Sequence, residues 1–246
     1  MNDLIWLAMS GAQALAHRQE SAAHNLANAS TVGYRADRSV FRSVPVESGQ
    51  GAPTRVYALE ASAAFDPTPG PVNATGRSLD VAIVGEGWFV VQAADGGDAF
   101  TRNGRLEVGP EGTLQVAGGM PVMGDGGGPL VVPPNAQVGV GADGTVSARI
   151  DGQPPVQLGR LRLVNPPPAQ LVRGEDGLMR SVSPDPVPED PGVRVAEGSL
   201  EGSNVNVVES MVGMISLARQ YEVQMRLLQN AESNEQRATQ LLSPAA

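Results

Sequence analysis

The chain has 246 residues, a formal net charge of −9 and a charged fraction of 17%. This length is enough for one or two domains with a buried core, and the acidic balance argues against a nucleic-acid partner. All 17 basic residues are arginine and cysteine is absent, which excludes lysine Schiff-base chemistry, a P-loop lysine, disulfides, thiolate metal sites and a cysteine nucleophile.

The first predicted element is an amphipathic helix over about residues 1–30. Its apolar positions alternate spacings of three and four and form one narrow line, interrupted by polar Gln19: Ile5, Ala8, Ala12, Leu15, Ala22 and Leu26. A line this narrow is typical of a helix that packs against another helix. The cap-type and glycine residues between Asn28 and Gly33 predict that the helix ends near Asn28.

This N-terminus resembles a signal peptide only superficially. Ala14-Leu15-Ala16 has the small residues of a cleavage site, but the one charge before it is Asp3, where a cationic region belongs. If the protein leaves the cytoplasm, we therefore expect it to do so without cleavage of a signal peptide. No apolar run approaches the ~20 residues of a membrane span, so no direct span is predicted.

Four segments are predicted along the chain. Residues 1–34 are an N-terminal helical segment, residues 35–75 are an extended connector rich in proline, and residues 76–198 are a β-rich domain. Residues 199–246 are a C-terminal helical segment that packs with residues 1–34. The predicted fold class is α+β, with a coiled-coil-like core of terminal helices and a central, mostly antiparallel β domain.

The β-rich domain is predicted from short apolar runs separated by turn residues. The runs 79–84 and 88–92 flank Gly85-Glu86-Gly87 and predict a compact hairpin. Six further turns are predicted at dipeptides that tolerate a positive φ: Asp95-Gly96, Asn103-Gly104, Glu111-Gly112, Asp143-Gly144, Asp151-Gly152 and Asp176-Gly177.

The last predicted element is a helix over about residues 206–242. Asn206 with Glu209 three residues on forms a capping-box-like start, and Pro244 ends the helix. Its narrow apolar line is Met211, Met214, Ala218, Tyr221, Met225 and Leu228. A pair of such helices with few aromatic residues is marginally stable alone, which favours ordering upon assembly.

No catalytic, cofactor or metal site is predicted. His17 and His24 lie two helical turns apart, about 10.5 Å along the axis, which is too far for one ion. Helical ends of this kind suggest a subunit that assembles through its termini, and two other functions compete with this interpretation. A peptidoglycan-acting hydrolase needs two facing carboxylates, but Glu86, Asp95, Asp98 and Glu107 fall at predicted turns or strand ends, where solvated acids are usual. The other competing function is a secreted coiled-coil adhesin.

Three blocks of the sequence resemble one family. The string from His24 to Arg35, HNLANASTVGYR, is similar to the pattern N-N-L-A-N-x-x-T-x-G-[FY]-[KR] of the flagellar axial proteins, which are the rod, hook and hook-associated subunits, and it departs only at His24. The other blocks are Leu79–Val91 with Phe100–Gly104, and Leu200–Met211. The resemblance therefore covers nearly the whole chain. Within this family, the chain is most similar to proximal rod subunits in its length, its short β domain and its strings at 44–46 and 234–238. The alternative identification is a distal rod subunit.

This resemblance implies a structural subunit of the bacterial flagellar basal-body rod that transmits torque from the motor to the hook and filament. Its implied partners are other rod proteins, copies of itself and the flagellar type III export apparatus. The implied location is the periplasm-spanning rod, with the terminal helices in the tubular axis and the β domain outside it.

The predicted assembly residues follow from this interpretation. Those expected to carry helix packing are Ile5, Leu15, Leu26, Met211, Met214, Ala218, Tyr221, Met225 and Leu228. Asn25, Asn28, Thr31 and Gly33 are expected to shape the turn by which the chain leaves the helical core.

Overall fold

The computed structural model describes residues 2–45, 56–150, 152 and 154–242, with side chains described within 9–39, 64–150, 152, 154–230 and 233–234. Two long helices, α1 (Asn2–Ala27) and α2 (Val207–Leu242), stand at the two ends of the chain, and the strands lie between them in sequence. The paired strands are antiparallel. The predicted α+β class, two helices with mainly antiparallel strands, is confirmed.

The strands are short except for the first two. They are β1 (Asp37–Pro45), β2 (Val56–Phe65), β3 (Val72–Ala74), β4 (Val81–Val84), β5 (Trp88–Gln92), β6 (Asp98–Thr101), β7 (Leu106–Val108), β8 (Leu114–Val116), β9 (Gln137–Val140), β10 (Thr145–Arg149), β11 (Val156–Arg160), β12 (Leu163–Val164), β13 (Leu171–Arg173), β14 (Met179–Ser181), β15 (Arg194–Glu197) and β16 (Ser199–Glu201). One turn of 3₁₀-helix covers Pro168–Gln170.

The chain divides into two compact units. The helical unit consists of Met1–Ala27, Asp37–Asp66 and Asn206–Ala246, and the β unit consists of Asn28–Ala36 and Pro67–Val205. The chain therefore passes from one unit to the other four times. The predicted helical segments 1–34 and 199–246 are each divided, since residues 28–34 and 199–205 belong to the β unit.

In the helical unit, α1 packs against α2 and against the β1–β2 hairpin. Helix α1 ends at Ala27, which confirms the predicted end near Asn28. Helix α2 begins as predicted, because Asn206 Oδ1 accepts hydrogen bonds from the backbone N–H groups of Val208 (3.1 Å) and Glu209 (3.2 Å). Neither helix has, over the residues described, the length and apolar character needed to cross a bilayer.

A long hairpin occupies much of the segment that the sequence predicts as an extended connector, residues 35–75. Strands β1 and β2 pair from Asp37 opposite Phe65 to Pro45 opposite Val56, with one register shift after Val40. Three of the prolines that suggested a connector follow β2, and Pro53 lies outside the described residues.

The β unit contains a five-stranded sheet in the order β12-β5-β6-β14-β13 and a three-stranded sheet in the order β11-β10-β9. The remaining strands form the pairs β15-β4, β16-β3 and β7-β8. These elements enclose one core, rich in valine and leucine, whose innermost members are Val81, Ile83, Phe89, Val91, Leu106, Leu114, Val116, Val122, Val146 and Leu161. This core gives the β unit its own stability.

The tight turns of the β unit follow the predicted dipeptides closely. Five of the six predicted glycine turns lie between paired strands and have a positive φ at glycine: Gly96, Gly112, Gly144, Gly152 and Gly177. At one of them the Asp143 carboxylate accepts the N–H of Thr145 at 3.1 Å, which lowers the pKa of Asp143 below its ordinary value.

Two predicted turns are wrong. Strand β4 pairs with β15, while β5 pairs with β6 and β12, so no hairpin forms around Gly85-Glu86-Gly87. The carbonyls of Gly85 and Gly87 instead accept hydrogen bonds from the Arg102 guanidinium, each at 2.7 Å. Gly104 makes no hairpin turn, because β6 pairs with β5 and β14 while β7 pairs with β8. Glycine is needed there for another reason, since a Cβ would lie 1.6 Å from the carbonyl oxygen of Val81.

Candidate assembly surfaces

The predicted line of α1 faces the inside of the helical unit where its side chains are described. Ala12, Leu15, Ala22 and Leu26 are half-buried, whereas Gln19 is exposed. A Cβ at Gly11 would lie 3.1 Å from Gln224 Nε2, so Gly11 faces α2. The side chain of Ile5 lies outside the described residues.

The half-buried positions of α2 form a line with spacings of three and four. They are Ser210, Gly213, Met214, Leu217, Ala218, Gln224 and Leu228. Of the six predicted positions, Met214, Ala218 and Leu228 belong to this line, while Met211 is 48% exposed and Tyr221 and Met225 are each 36% exposed. The half-buried line is thus displaced by about one residue from the centre of the predicted one. We call it the inner line of α2.

A second apolar line on α2 is exposed, and the sequence interpretation missed it. Its members are Val208, Val212, Ile215, Val223 and Leu227, which are 55–70% exposed. Three of these residues, Val212, Ile215 and Val223, line an open groove of about 590 Å³ together with Leu15 of α1. The spacings of four and three between Val208, Val212 and Ile215 were the signal that could have revealed it. We call this set the outer line of α2.

The end of α1 is held to the start of β1 by side chains of the last two turns of the helix. The side-chain amide of Asn25 bonds both backbone groups of Asp37. Its Oδ1 accepts the N–H of Asp37 (2.7 Å), and its Nδ2 donates to the Asp37 carbonyl (2.9 Å). His24 Nδ1 lies 2.9 Å from Asp37 Oδ2. The hydroxyls of Ser21 and Ser39 are 2.8 Å apart.

The other three predicted turn residues lie in the β unit. The Thr31 N–H donates to the Asn28 carbonyl, and Thr31 Oγ1 donates to Asn28 Oδ1, both at 3.1 Å. Gly33 has φ +69°, and a Cβ there would lie 2.3 Å from the carbonyl carbon of Arg102. The turn therefore needs glycine both for its backbone conformation and for its close approach to residue 102.

A buried ionic cluster links the three sequence blocks that carry the family resemblance. The Glu201 carboxylate accepts hydrogen bonds from Arg35 Nη1, from Arg102 Nε (2.7 Å) and from the Gly70 N–H (2.9 Å). Arg102 Nη2 also lies 2.6 Å from Glu201 Oε2. All three charged side chains are at most 3% exposed. We call them the Arg35–Glu201–Arg102 cluster.

The cluster carries two positive charges for one negative charge. Burial lowers the pKa of Arg102 to about 10, against the attraction of Glu201, so Arg102 stays charged at neutral pH. The carbonyls of Gly85 and Gly87 offset part of the excess by accepting its Nη hydrogens. Arg35 Nε has no hydrogen-bond partner in the described structure, and the hydrogen bond shown for the Arg35 guanidinium is the one from Nη1 to Glu201.

Further contacts of the β unit surround this cluster. The Arg173 guanidinium lies 4.7 Å from the centre of the Tyr34 ring and donates to the Arg35 carbonyl at 2.6 Å. Asn204 accepts the Ala36 N–H at 2.7 Å, and its own N–H donates to the Tyr34 carbonyl at 3.3 Å. Sequence reasoning missed these roles, although the presence of Arg35, Arg102 and Glu201 in the three matching blocks was an available signal.

Of the titratable side chains outside this cluster, Asp80 is buried, with its Oδ1 3.6 Å from Arg77 Nη1, and several others make surface contacts. Asp98 lies 2.7 Å from Arg162, and Asp95 lies 3.8 Å from Arg180. No group of three metal-binding side chains occurs in the part of the chain that the structure describes. The arrangement therefore offers packing surfaces and a buried ionic cluster.

Three family models match the chain in separate segments. The model described as "Flagella basal body rod protein" matches residues 6–35. The model "Flagellar hook protein FlgE/F/G D1 domain" matches residues 82–148, and the model "Flagellar basal body rod FlgEFG protein C-terminal" matches residues 196–241. Both terminal models include residues of the ionic cluster as well as helix residues.

Similar proteins match over almost their full length. Flagellar basal-body rod protein FlgF of Salmonella typhimurium is 43% identical, with 99% of each chain covered. The protein of the same name from Caulobacter vibrioides is 32% identical, with 98% of each chain covered. Flagellar basal-body rod protein FlgG of Buchnera aphidicola subsp. Schizaphis graminum is 30% identical over 96% of this chain and 98% of its own.

Proposed function

Because this chain belongs to the family of flagellar basal-body rod proteins, we propose that it is a structural subunit of the proximal rod that transmits torque from the motor towards the hook and filament. The observation that carries the proposal is the 43% identity to a rod protein over 99% of both chains. The exposed outer line of α2 supports it from the structure, because it gives the subunit a surface for neighbours.

We propose that the terminal helices form a coiled-coil-like core in the rod. Within a subunit, α1 packs against α2, with Gly11 of α1 beside Gln224 of the inner line. Between subunits, the outer line of α2 would be covered by a helix of a neighbouring rod subunit, because large apolar side chains at spacings of three and four suit helix packing. The predicted packing residues, from Ile5 and Leu15 to Leu228, are proposed to serve one or other of these contacts.

A contact of this kind generates a rod when each subunit offers different surfaces to the neighbours before and after it. Such heterologous contacts form open helical arrays if the rotation between subunits does not close a ring. Many close-packed contacts in parallel resist deformation, which is the mechanical property that torque transmission requires. The partners are other rod proteins and copies of this chain.

The subunit is further proposed to reach its place through the flagellar type III export apparatus, without cleavage of a signal peptide. Its location would then be the part of the basal body that spans the periplasm. Marginal pairing of the helices suits such a route, because the free subunit would keep its termini unfolded until they pack in the rod.

Deletion of this protein tests the function directly. Basal bodies purified from the deletion strain should lack the rod beyond its inner-membrane end and carry no hook, and the wild-type protein should restore both. Electron microscopy gives the length of the remaining rod. A rod that lacks only its outer part would favour the distal alternative, and complete rods with hooks in the deletion strain would contradict the proposal.

A dilute solution of the free protein tests the mobility of the termini. The backbone N–H groups of α1 should exchange with solvent almost as fast as in an unfolded peptide, whereas those of core strands such as β4 and β7 should be protected. Hydrogen exchange read by mass spectrometry gives both values in one sample. Strong protection of α1 in the dilute monomer would contradict ordering upon assembly.

A further inference from the structure

We propose that the Arg35–Glu201–Arg102 cluster is an ionic lock that keeps residues 28–36 folded on the β unit independently of helix packing. The segment follows α1 directly in sequence, yet it belongs to the β unit. The lock therefore decides where the permanently folded part of the subunit begins and ends. Its outer limits are Asn28 on one side and Val205 on the other.

Apolar burial alone holds the segment weakly. Within residues 28–36 only Tyr34 and Arg35 are buried, and the others are half-buried or exposed. The segment is tied instead by polar contacts, among them the Gly33 N–H, which donates to the Glu201 carbonyl at 2.8 Å. Both the backbone and the side chain of Glu201 thus hold this segment.

Glu201 is the centre of the lock because it joins parts that are distant in sequence. Its two carboxylate oxygens accept N–H groups from Arg35, Arg102 and Gly70. Two carboxylate oxygens offer about four acceptor positions, so these donors use nearly all of them. Loss of the negative charge would leave two arginines buried beside each other without a counter-ion, which is the costly way to break a buried ion pair.

The lock also lies beside the two segments through which the chain leaves the β unit, one leading to β1 and the other to α2. Ala36 is the last residue of the β unit before β1, and its N–H donates to the side chain of Asn204, two residues before the crossing to α2. The Asn204 N–H donates in turn to the Tyr34 carbonyl. The points at which the chain leaves the β unit towards β1 and towards α2 are therefore bonded to each other.

Hydrogen exchange of three full-length monomers tests the lock. In the wild-type protein the Gly33 and Ala36 N–H groups should exchange as slowly as the Leu106 N–H in the core. In Glu201→Gln they should exchange at least about tenfold faster, with a smaller change at Leu106. The control Val146→Ala removes core packing in β10, a strand that contributes no group to the lock, and should accelerate all three N–H groups by a similar factor.

Two results would overturn the proposal. One is unchanged exchange at Gly33 and Ala36 in Glu201→Gln, and the other is a uniform acceleration like that of the control. If Glu201→Gln does not fold, Arg35→Met is the decisive variant, because it leaves the Arg102–Glu201 pair intact. It should release residues 28–36 selectively, and wild-type protection of Gly33 and Ala36 in Arg35→Met would equally overturn the lock.

Discussion

Replacement of Leu228 by aspartate is expected to abolish rod assembly and swimming while the β unit stays folded. Leu228 is a half-buried member of the inner line of α2. Because Leu228 is half-buried, the substitution removes about 1 kcal/mol of apolar burial per subunit, and it places an ionised carboxylate in the packed line. The same loss recurs in every subunit of the array, so assembly should fail even though one subunit tolerates the change.

The neighbouring residue provides a matched control. Gln229 is exposed on α2, so Gln229→Asp adds the same charge one position away without entering the inner line. Swimming in soft agar and electron microscopy of purified basal bodies read the assembly, and thermal unfolding of the purified protein reads the β unit. Wild-type motility with intact basal bodies in Leu228→Asp would contradict the assembly role of the inner line.

The elements that the sequence predicted best are those with local causes. Helix α1 ends where the cap-type residues begin, α2 begins at the capping residue Asn206, and glycine places five hairpin turns. Each of these features depends on residues a few positions apart. Local propensity and spacing are therefore sufficient to predict them.

The elements that the sequence did not predict depend on distant partners. The local sequence around Gly85 and Gly87 predicts a hairpin, but the carbonyls of this loop accept hydrogen bonds from the Arg102 guanidinium. The bond between Arg35 and Glu201 spans 166 positions of sequence. Spacing within a short window contains no information about such pairs.

The predicted line of α2 overlaps the half-buried inner line without coinciding with it. The predicted α2 line and the inner line share Met214, Ala218 and Leu228. The difference arises because α2 has two apolar lines, and a single list of spaced apolar residues selects members lying between them, such as Met211. An amphipathic pattern predicts that a helix has a packing face, whereas the partner helix determines which side chains are covered.

Replacement of Gly33 by alanine is expected to destabilise the β unit much more than the same change at another left-handed glycine. An alanine at φ +69° costs about 1–2 kcal/mol. Its Cβ would also lie 2.3 Å from the carbonyl carbon of Arg102 and 2.5 Å from the Asn103 nitrogen. Since both atoms belong to the backbone, the overlap requires a backbone shift, which costs a further 1–3 kcal/mol or so.

The control is Gly177→Ala, because Gly177 has φ +80° and no atom within 4 Å of a Cβ placed there. It carries the conformational cost without the overlap, so the difference between the two variants isolates the close approach of residues 33 and 102. Urea unfolding followed by the fluorescence of Trp88 in β5 measures both, in a Trp6→Phe background that leaves Trp88 as the remaining tryptophan. Equal destabilisation in the two variants would show that Gly33 is required only for its φ, and that the turn after α1 does not press on the backbone that carries Arg102.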